Sequence, residues 1–251
     1  MYTVDLNSDL GESFGAYTIG MDEGVIPLVS SANVACGFHA GDPSVMSHTV
    51  ALCKANGVSV GAHPGFPDLQ GFGRRNMNMS PADVKAMMIY QVGALDAFCK
   101  SQDVPLRHVK PHGALYNMAA KDEALARAIC EAVYEYDKKL ILMGLSGSKM
   151  LTEAEKLGLP YAAEVFADRA YEDDGSLVAR GKPGAMITDE DEAVERLVGM
   201  IKDKRVKSVN GNWIELCPHS VCVHGDSQKA LLFVRKIRDV FASEGIEIKA
   251  L

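Results

Sequence analysis

Short runs of strand-forming residues alternate with helical stretches along the chain, and this alternation limits the fold more than any other feature. The seven predicted strands lie near residues 3–6, 30–35, 58–62, 107–110, 140–143, 161–165 and 221–223. The clearest helices are predicted at 43–56, 81–102 and 119–138, and Asp-Pro or Ser-Pro pairs mark the first two starts. Strands joined through helices pair in parallel, so the pattern predicts an α/β fold.

The length of the chain favours a closed barrel over an open sheet. At 251 residues with 47% hydrophobic content, the chain can form one large core, and no long linker divides it. We therefore predict a single β/α-barrel domain over residues 1–251, similar to a TIM barrel. The barrel has seven strands, or an irregular eight if residues 245–249 contribute a further strand or an edge strand.

Charge and composition exclude several classes of partner. The formal net charge is −7 and no basic stripe could neutralise phosphates, so a nucleic-acid partner is not expected. The segment MYTVDLNSDLGE has neither a basic start nor an apolar signal core, and no run of about 18 apolar residues follows, which predicts a cytoplasmic protein without membrane contact. Glycine-rich nucleotide motifs are absent. Six cysteines without a C-x-x-C pair are expected to be reduced core residues.

Polar residues follow six of the seven predicted strands, at the points where those strands end. In a β/α barrel the chemistry takes place at the carboxyl ends of the strands, so these side chains are expected to meet. A single polar residue there usually caps a turn, but five histidines or lysines beyond strand ends indicate a shared site. The candidates are Asp5, Asn7, Asp9, Glu12, Asn33, His39, His63, Lys110, His112, Asp168, Arg169, His224 and Asp226.

The segment VKPHGALYN places a lysine and a histidine two positions apart, at Lys110 and His112. Side chains at i and i+2 of a strand project from the same face, so both point into the barrel mouth if the strand extends that far. Each cation would then lower the pKa of the other group, which favours a neutral imidazole that accepts a proton. The alternative is that Lys110 pairs with a nearby carboxylate and His112 caps the loop.

Histidines on separate strands could also bind a metal. His39, His63 and a carboxylate could converge on a divalent transition metal, since imidazole is a common ligand of such ions. The compact spacings H-x-x-x-H and H-E-x-x-H, which would support a metal, do not occur among these residues. A metal therefore stays an open alternative at this stage.

Adjacent arginines follow the third predicted strand within a loop rich in glycine and proline. The planar guanidinium groups of Arg74 and Arg75 suit bidentate binding of a carboxylate or phosphate. A loop over the barrel mouth is where an anionic substrate would be held. Equally, two arginines on a flexible loop can be a solvated surface without any ligand.

Six long motifs, in this order, closely resemble those of the LamB/YcsF family, the A subunits of 5-oxoprolinase. They are DLNSDLGESFG, SANVACGFHAGDP, GAHPGFPDLQGFGRR, VKPHGALYN, EVFADRAY and CVHGD, and they extend to residue 226. The resemblance implies a seven-stranded barrel related to those of sugar deacetylases and glycoside hydrolases. The sequence departs from the metal-dependent deacetylases, whose paired histidines lie one helical turn apart.

The resemblance further implies an ATP-hydrolysing 5-oxoprolinase, which cleaves the lactam of 5-oxo-L-proline to L-glutamate together with two other subunits. Because this chain lacks a P-loop, ATP is expected to bind to a partner subunit or jointly with one. A five-membered lactam is an unreactive amide whose carbonyl oxygen must be activated. Coupling to ATP suggests a phosphorylated intermediate at that oxygen.

On this hypothesis the candidate residues fall into two groups. The catalytic group would move protons, fix an imidazole tautomer or stabilise negative charge, and comprises Asp9, Glu12, His39, His63, Lys110, His112, Asp168 and Arg169. The substrate-binding group would hold the amide and the carboxylate or form the far wall, and comprises Asp5, Asn7, Asn33, Arg74, Arg75, His224 and Asp226.

Two other functions compete with this one. The first is a stand-alone amidohydrolase or deacetylase that uses a metal such as zinc to activate water. The second is a non-catalytic subunit that binds an anionic small molecule and serves as a scaffold for its partners. The second function needs the arginines but no reactive imidazole, so replacing His112 would leave turnover intact.

Overall fold

The computed structural model describes residues 2–224 and 228–251, and its main element is a closed barrel of seven parallel strands. The strands in chain order are β1 (Tyr2–Leu10), β2 (Ser31–Ala35), β3 (Ser59–His63), β4 (Leu106–Val109), β5 (Ile141–Leu145), β6 (Tyr161–Phe166), β7 (Arg205–Lys207), β8 (Trp213–Glu215), β9 (Ser220–Val223) and β10 (Ile246–Ile248). β9 pairs with both β6 and β1, which closes the ring. β10 pairs with the start of β1 as an additional strand. The predicted barrel is confirmed.

Helices follow most of the strands and pack around the barrel. They are α1 (Asp22–Val25), α2 (Pro43–Asn56), α3 (Pro81–Ser101), α4 (Gly113–Ala119), α5 (Glu123–Asp137), α6 (Lys149–Leu157), α7 (Glu190–Asp203) and α8 (Gln228–Ser243), with a 3-10 turn at Ile26–Leu28. In the two described ranges, no helix has the length and apolar content needed to cross a membrane.

The helix predictions were right at α2 and α3, and the one at 119–138 began four residues too early. α2 begins where Asp42 accepts hydrogen bonds from the backbone N–H groups of Ser44 and Val45, and Gly57 ends it in the left-handed conformation. Within 119–138 the chain forms α5, and only Ala119 belongs to the preceding helix α4. The Asp122 side chain accepts a hydrogen bond from the Leu125 N–H and begins α5, which separates it from α4. The antiparallel hairpin of β7 and β8 was not predicted.

The cysteines are free thiols, as the sequence predicts. Five of them are buried, and Cys222 lies inside the barrel on β9. Cys217 is exposed, so the prediction that it is a core residue is wrong. It lies in the connection between β8 and β9, outside any strand or helix.

The barrel interior is polar, unlike the branched apolar filling that is usual in β/α barrels. Along β1, Leu6 and Leu10 are buried in the apolar layer that the strands and helices share. The intervening residues Asp5, Asn7 and Asp9 make hydrogen bonds across the barrel instead. Because side chains alternate along a strand, β1 places Asp5, Asn7 and Asp9 one above another along the barrel axis, and each defines one level of the interior.

At the lowest level, hydroxyl groups surround a carboxylate. Asp5 accepts hydrogen bonds from Ser30 and Ser31, each at 2.6 Å, and from Ser220 of β9. Burial raises the pKa of Asp5, while the three hydroxyl donors act in the opposite direction. These bonds tie β1 to both of its barrel neighbours, so Asp5 contributes to closure rather than to ligand binding.

Amide side chains form the next level. Asn7 donates to Ser220 Oγ at 2.7 Å and to Glu164 Oε1 at 3.0 Å, and it accepts from Asn33 at 2.7 Å. The Asn33 oxygen lies 2.7 Å from His108 Nε2, and an amide oxygen can only accept, so this nitrogen carries the hydrogen. Buried polar groups are stable only when they are paired, and this level pairs them across five strands.

Gly61 on β3 tests how tightly this interior is packed. A Cβ at Gly61 would overlap the His108 ring, so Gly61→Ala should lower the free energy of unfolding by about 1–3 kcal/mol. The matched control is Gly199→Ala in α7, where a Cβ meets no atom of the described residues within 4 Å and should stabilise the helix by about 0.4–1 kcal/mol. Urea midpoints of both variants check this, and equal midpoints would show that the interior adapts freely.

Candidate active site

A cavity of about 650 Å³ lies at the carboxyl ends of the barrel strands. It is large enough for a small molecule, and both apolar and charged side chains line it. Its lining includes predicted residues from both groups, namely Asp9, Glu12, His63, Arg74, Lys110, His112, Arg169 and His224. His39 lies directly behind it, with its ring stacked on His112 at a centroid distance of 3.7 Å.

Lys110 lies at the floor of the cavity and is almost completely buried. Its Nζ is 2.7 Å from Glu164 Oε1 and 2.9 Å from Asp9 Oδ1. Burial alone would lower the pKa of Lys110, but the two carboxylates outweigh burial and raise it well above its usual range. The prediction that a neighbouring cation lowers the pKa of Lys110 is therefore wrong, and pairing with carboxylates is what the structure shows.

Lys110 and His112 both lie beyond the end of β4, and both line the cavity, as predicted. β4 ends at Val109, and His112 is the residue before helix α4, with a φ of −93° and a ψ of 146°. Its ring turns toward the loop after β3, where Nε2 lies 2.8 Å from the carbonyl oxygen of Phe72. Both side chains line the same cavity, and the backbone N–H groups of Lys110 and His112 donate to the carbonyl oxygens of Ala62 and Pro64, at 2.9 and 2.8 Å, on either side of Pro111.

Three histidines and one carboxylate meet beside Lys110, and we call Glu12, His39, His63 and His112 the histidine cluster. One ligand atom from each of the four lies within 4.8 Å of the others. His63 Nε2 is 2.9 Å from His112 Nδ1. Glu12 Oε1 is 3.6 Å from His39 Nε2 and 3.7 Å from His112 Nδ1. The sequence predicted all four as site residues and allowed His39, His63 and a carboxylate to converge, but it did not place His112 with them.

The hydrogen-bond partners fix two of the tautomers in the histidine cluster. His63 Nδ1 lies 2.7 Å from the carbonyl oxygen of Lys110. A carbonyl oxygen only accepts hydrogen bonds, so Nδ1 of His63 and Nε2 of His112 each carry a hydrogen. In the neutral rings, the remaining nitrogens, which face each other, then hold lone pairs.

Burial controls the charge of the site. Burial raises the pKa of Glu12 to about 7, and the nearby Asp9 carboxylate adds to this effect. Burial also lowers the pKa of His39 and of His112 well below the usual value, and the neighbouring imidazoles act in the same direction. For Asp9, burial opposes ionisation, but His63 and Lys110 outweigh it and hold its pKa well below the usual value. Asp9 is therefore ionised, and its carboxylate lies beside both His63 and Lys110.

The opposite wall of the cavity carries positive charge. His224 Nδ1 is 2.9 Å from Asp168 Oδ2, and although burial lowers the pKa of His224, Asp168 outweighs burial and raises it. Arg169 donates to the carbonyl oxygen of Val178 at 2.6 Å, and burial together with Arg180 lowers its pKa to about 10, so it remains a cation at neutral pH.

Several predicted substrate-binding residues do not face the cavity. Asp5, Asn7 and Asn33 are fully enclosed within the barrel, where other side chains use their polar atoms. Arg75 pairs with Asp68, and its guanidinium is directed away from the cavity that Arg74 lines. Asp226 lies outside the described residues.

Two residues of the site were missed in the sequence. Glu164 contacts Lys110 and accepts a hydrogen bond from Tyr116 at 2.7 Å, and a carboxylate within the apolar strand YAAEVF was a usable signal. Arg180 lines the cavity 3.4 Å from His224 Nε2. It lies in the irregular segment between β6 and α7, where no local pattern indicates which side chain turns inward.

Comparisons with known proteins cover nearly the whole chain. The model of the LamB/YcsF family matches residues 4–251. The 5-oxoprolinase A subunit of Clostridium beijerinckii (strain ATCC 51743 / NCIMB 8052) is 63% identical over 248 residues, which are 99% of this chain and 97% of that protein. The 5-oxoprolinase A subunit of Pyrococcus abyssi (strain GE5 / Orsay) is 55% identical over 248 residues, with the same coverage.

A solved structure shares the fold. The crystal structure of the lactam utilization protein from Thermus thermophilus superimposes with a TM-score of 0.93 at 46% sequence identity. The match covers 99% of this chain and 100% of that chain. The two chains therefore share one fold over nearly their whole length.

The pairing of Lys110 predicts a large effect on stability. Lys110→Met would leave Asp9 and Glu164 buried without a cation, so the free energy of unfolding should fall by about 3–5 kcal/mol. Adding Glu164→Gln should restore part of the loss, because the pair is coupled. Urea denaturation at neutral pH measures both variants. Lys182→Met, at an exposed pair with Glu172, is the control and should leave the midpoint nearly unchanged.

Proposed function

Since the chain belongs to the LamB/YcsF family, we propose that it is the A subunit of an ATP-dependent 5-oxoprolinase. In this role it opens the lactam of 5-oxo-L-proline to L-glutamate together with two partner subunits. The observation that carries the proposal is the cavity itself, whose lining combines imidazoles, carboxylates and guanidinium groups. A small anionic amide needs both kinds of group within one site.

The substrate suits the groups that line the cavity. 5-Oxoproline carries a carboxylate, which suits the guanidinium groups of Arg74 and Arg180. Its amide carbon must be attacked by water, which suits the histidine cluster and Asp9. Because both kinds of group line one cavity, a single small molecule can contact both.

The reaction balances if ATP first activates the amide. Transfer of the γ-phosphoryl group to the carbonyl oxygen makes the ring carbon electrophilic, and water then adds to that carbon. The carbon–nitrogen bond breaks to give the amine of glutamate, and a second water releases phosphate to leave the new carboxylate. Negative charge develops at the carbonyl and phosphate oxygens, where Arg169 and Lys110 would stabilise it.

The buried groups have positioning roles in this scheme. Lys110 and Glu164 hold Asp9 in place, and Asp9 in turn lies 3.3 Å from His63 Nε2. Asn7 and Asn33 support this arrangement from within the barrel and do not contact the substrate. The supporting role proposed for Asn7 and Asn33 replaces the expectation that these asparagines bind the substrate amide.

ATP is assigned to a partner subunit or to a site shared with one. No glycine-rich phosphate-binding loop follows any strand in the sequence. The cationic wall around Arg180 and His224 would face a phosphoryl group brought by the partner. A shared site of this kind makes activity depend on assembly.

Reconstitution tests the proposed activity. The chain alone should form little glutamate from 5-oxoproline with ATP, and adding the two partner subunits of 5-oxoprolinase should restore ATP-dependent formation. Glutamate and ADP are measured together, with and without each component. Lactam hydrolysis by the isolated chain without ATP would instead indicate a stand-alone amidohydrolase. Full turnover of the complex with His112→Ala would indicate a scaffold subunit.

Adjacent arginines give a matched pair for the binding site. Arg74→Ala removes a guanidinium from the cavity lining and should raise KM for 5-oxoproline about 10-fold or more with a smaller change in kcat, because a carboxylate contact acts equally in the ground and transition states. Arg75→Ala is the control, since Arg75 pairs with Asp68 outside the cavity. Steady-state kinetics of the reconstituted complex decide this, and equal effects of the two substitutions would contradict the assignment.

A further inference from the structure

We propose that the histidine cluster binds one divalent transition-metal ion, with zinc as the ion that fits best. The ligands would be one oxygen of Glu12 and one nitrogen each of His39, His63 and His112. This inference concerns the same cavity as the proposed function. It does not depend on the lactam reaction, because it follows from the unsatisfied atoms of the cluster.

The first observation is convergence. The four ligand atoms come from the segment after β1, the loop after β2, the end of β3 and the start of α4, and they lie within 4.8 Å of one another. In a tetrahedral zinc site with bonds of about 2.0–2.1 Å, ligand atoms are about 3.3 Å apart. The distances of 2.9, 3.6 and 3.7 Å within the cluster bracket that value.

The second observation is a conflict between lone pairs. His63 and His112 each use their outer nitrogen to donate to a backbone carbonyl, as metal-binding histidines commonly do. Their inner nitrogens therefore face each other at 2.9 Å with lone pairs in the neutral rings. Two acceptors at this distance repel unless a positive charge lies between them, and a shared cation removes the conflict.

The third observation is a set of buried polar atoms without hydrogen bonds. Within the described residues, neither ring nitrogen of His39 has a hydrogen-bond partner, and neither does Glu12 Oε1. His39 is completely buried, so water cannot substitute at low cost. A metal ion bound by His39 and Glu12 would satisfy one nitrogen and one oxygen at once.

Glycines hold the rings in this arrangement. A Cβ at Gly65 would lie 2.7 Å from His39 Nδ1, and a Cβ at Gly73 would lie 2.7 Å from His39 Cβ and 2.8 Å from His112 Cδ2. Real Cβ contacts are not this short, so only glycine allows the two loops to pack against the stacked rings. The glycines thus hold the His39 and His112 rings stacked, and one ring turns out of this stack when both bind one ion in their ring planes.

The type of ligand selects the ion. Three imidazoles and one carboxylate suit zinc and its neighbours in the first transition row, whereas magnesium and calcium prefer oxygen ligands. Glu12 is the most exposed ligand and faces the cavity, so it is the ligand that substrate or water could replace. An ion in this place would act as a Lewis acid toward a carbonyl oxygen.

A proton shared within the cluster is the competing explanation. A doubly protonated His63 could donate to Asp9, whose Oδ2 is 3.3 Å from His63 Nε2, or to His112. It could not give hydrogen bonds to His39, and Glu12 Oε1 would remain without a donor among the described residues. A metal ion satisfies all four ligands, so the observations favour it.

Zinc binding to the purified full chain tests the proposal. After treatment with a chelator, the chain should take up one zinc ion per molecule in a competition titration with a chromophoric chelator. X-ray absorption of the zinc-loaded chain should show three imidazole ligands and one oxygen ligand in the first shell. Uptake of no zinc, or a first shell without multiple imidazoles, would overturn the proposal whatever the enzymatic activity.

Two substitutions locate the ion. His39→Ala and Glu12→Gln should each weaken zinc binding at least 10-fold, because each removes one ligand. His48→Ala, at an exposed histidine of α2, is the matched control and should bind zinc like the unaltered chain. Circular dichroism confirms that each variant is folded. Unchanged binding in both cluster variants would refute the site, and the absorption spectrum decides the question if a variant does not fold.

Discussion

The ammonium group of Lys110 in the middle of the barrel is the interaction on which the site depends. It contacts the carboxylates of Asp9 and Glu164 at the level where the strands end; Lys110 and Glu164 are buried, and Asp9 is partly exposed to the cavity. Removing any one of these charges from water alone would cost too much free energy, and attraction between the opposite charges offsets that cost. Asp9 is thereby held ionised beside His63, and the histidine cluster is organised around a fixed anion.

The polar interior gives the site a rigid base. Most β/α barrels fill their centre with branched apolar residues and place polar groups only in loops. Here the hydrogen bonds continue from Asp5 at the lower level through Asn7 to Lys110 at the cavity floor. Strand side chains vary less in position than loop side chains, so the supporting groups fix the geometry of the cavity from below.

The fold was more predictable than the site. Seven strands and α2 follow from periodicity and capping residues, which act locally, and the resemblance of the motifs agrees with them. The histidines were recognisable because they follow strand ends. The partners of Lys110, however, depend on which side chains meet across the barrel, and Glu164 is 54 residues away in the sequence. Arg75 lies beside Arg74 in sequence, yet Asp68 turns it away from the cavity, and no local pattern shows this.

Closure through β1 has a consequence for how the chain folds. β1 pairs with β2 on one side, but its other neighbours, β9 and β10, come from the last part of the chain. The hydrogen bond between Asp5 and Ser220 joins residues 215 positions apart. During synthesis, one edge of β1 thus stays unpaired until nearly the whole chain has emerged, and an exposed strand edge can pair with other chains. Contacts of such long range also make folding slow, so closure of the barrel is expected to be a late step.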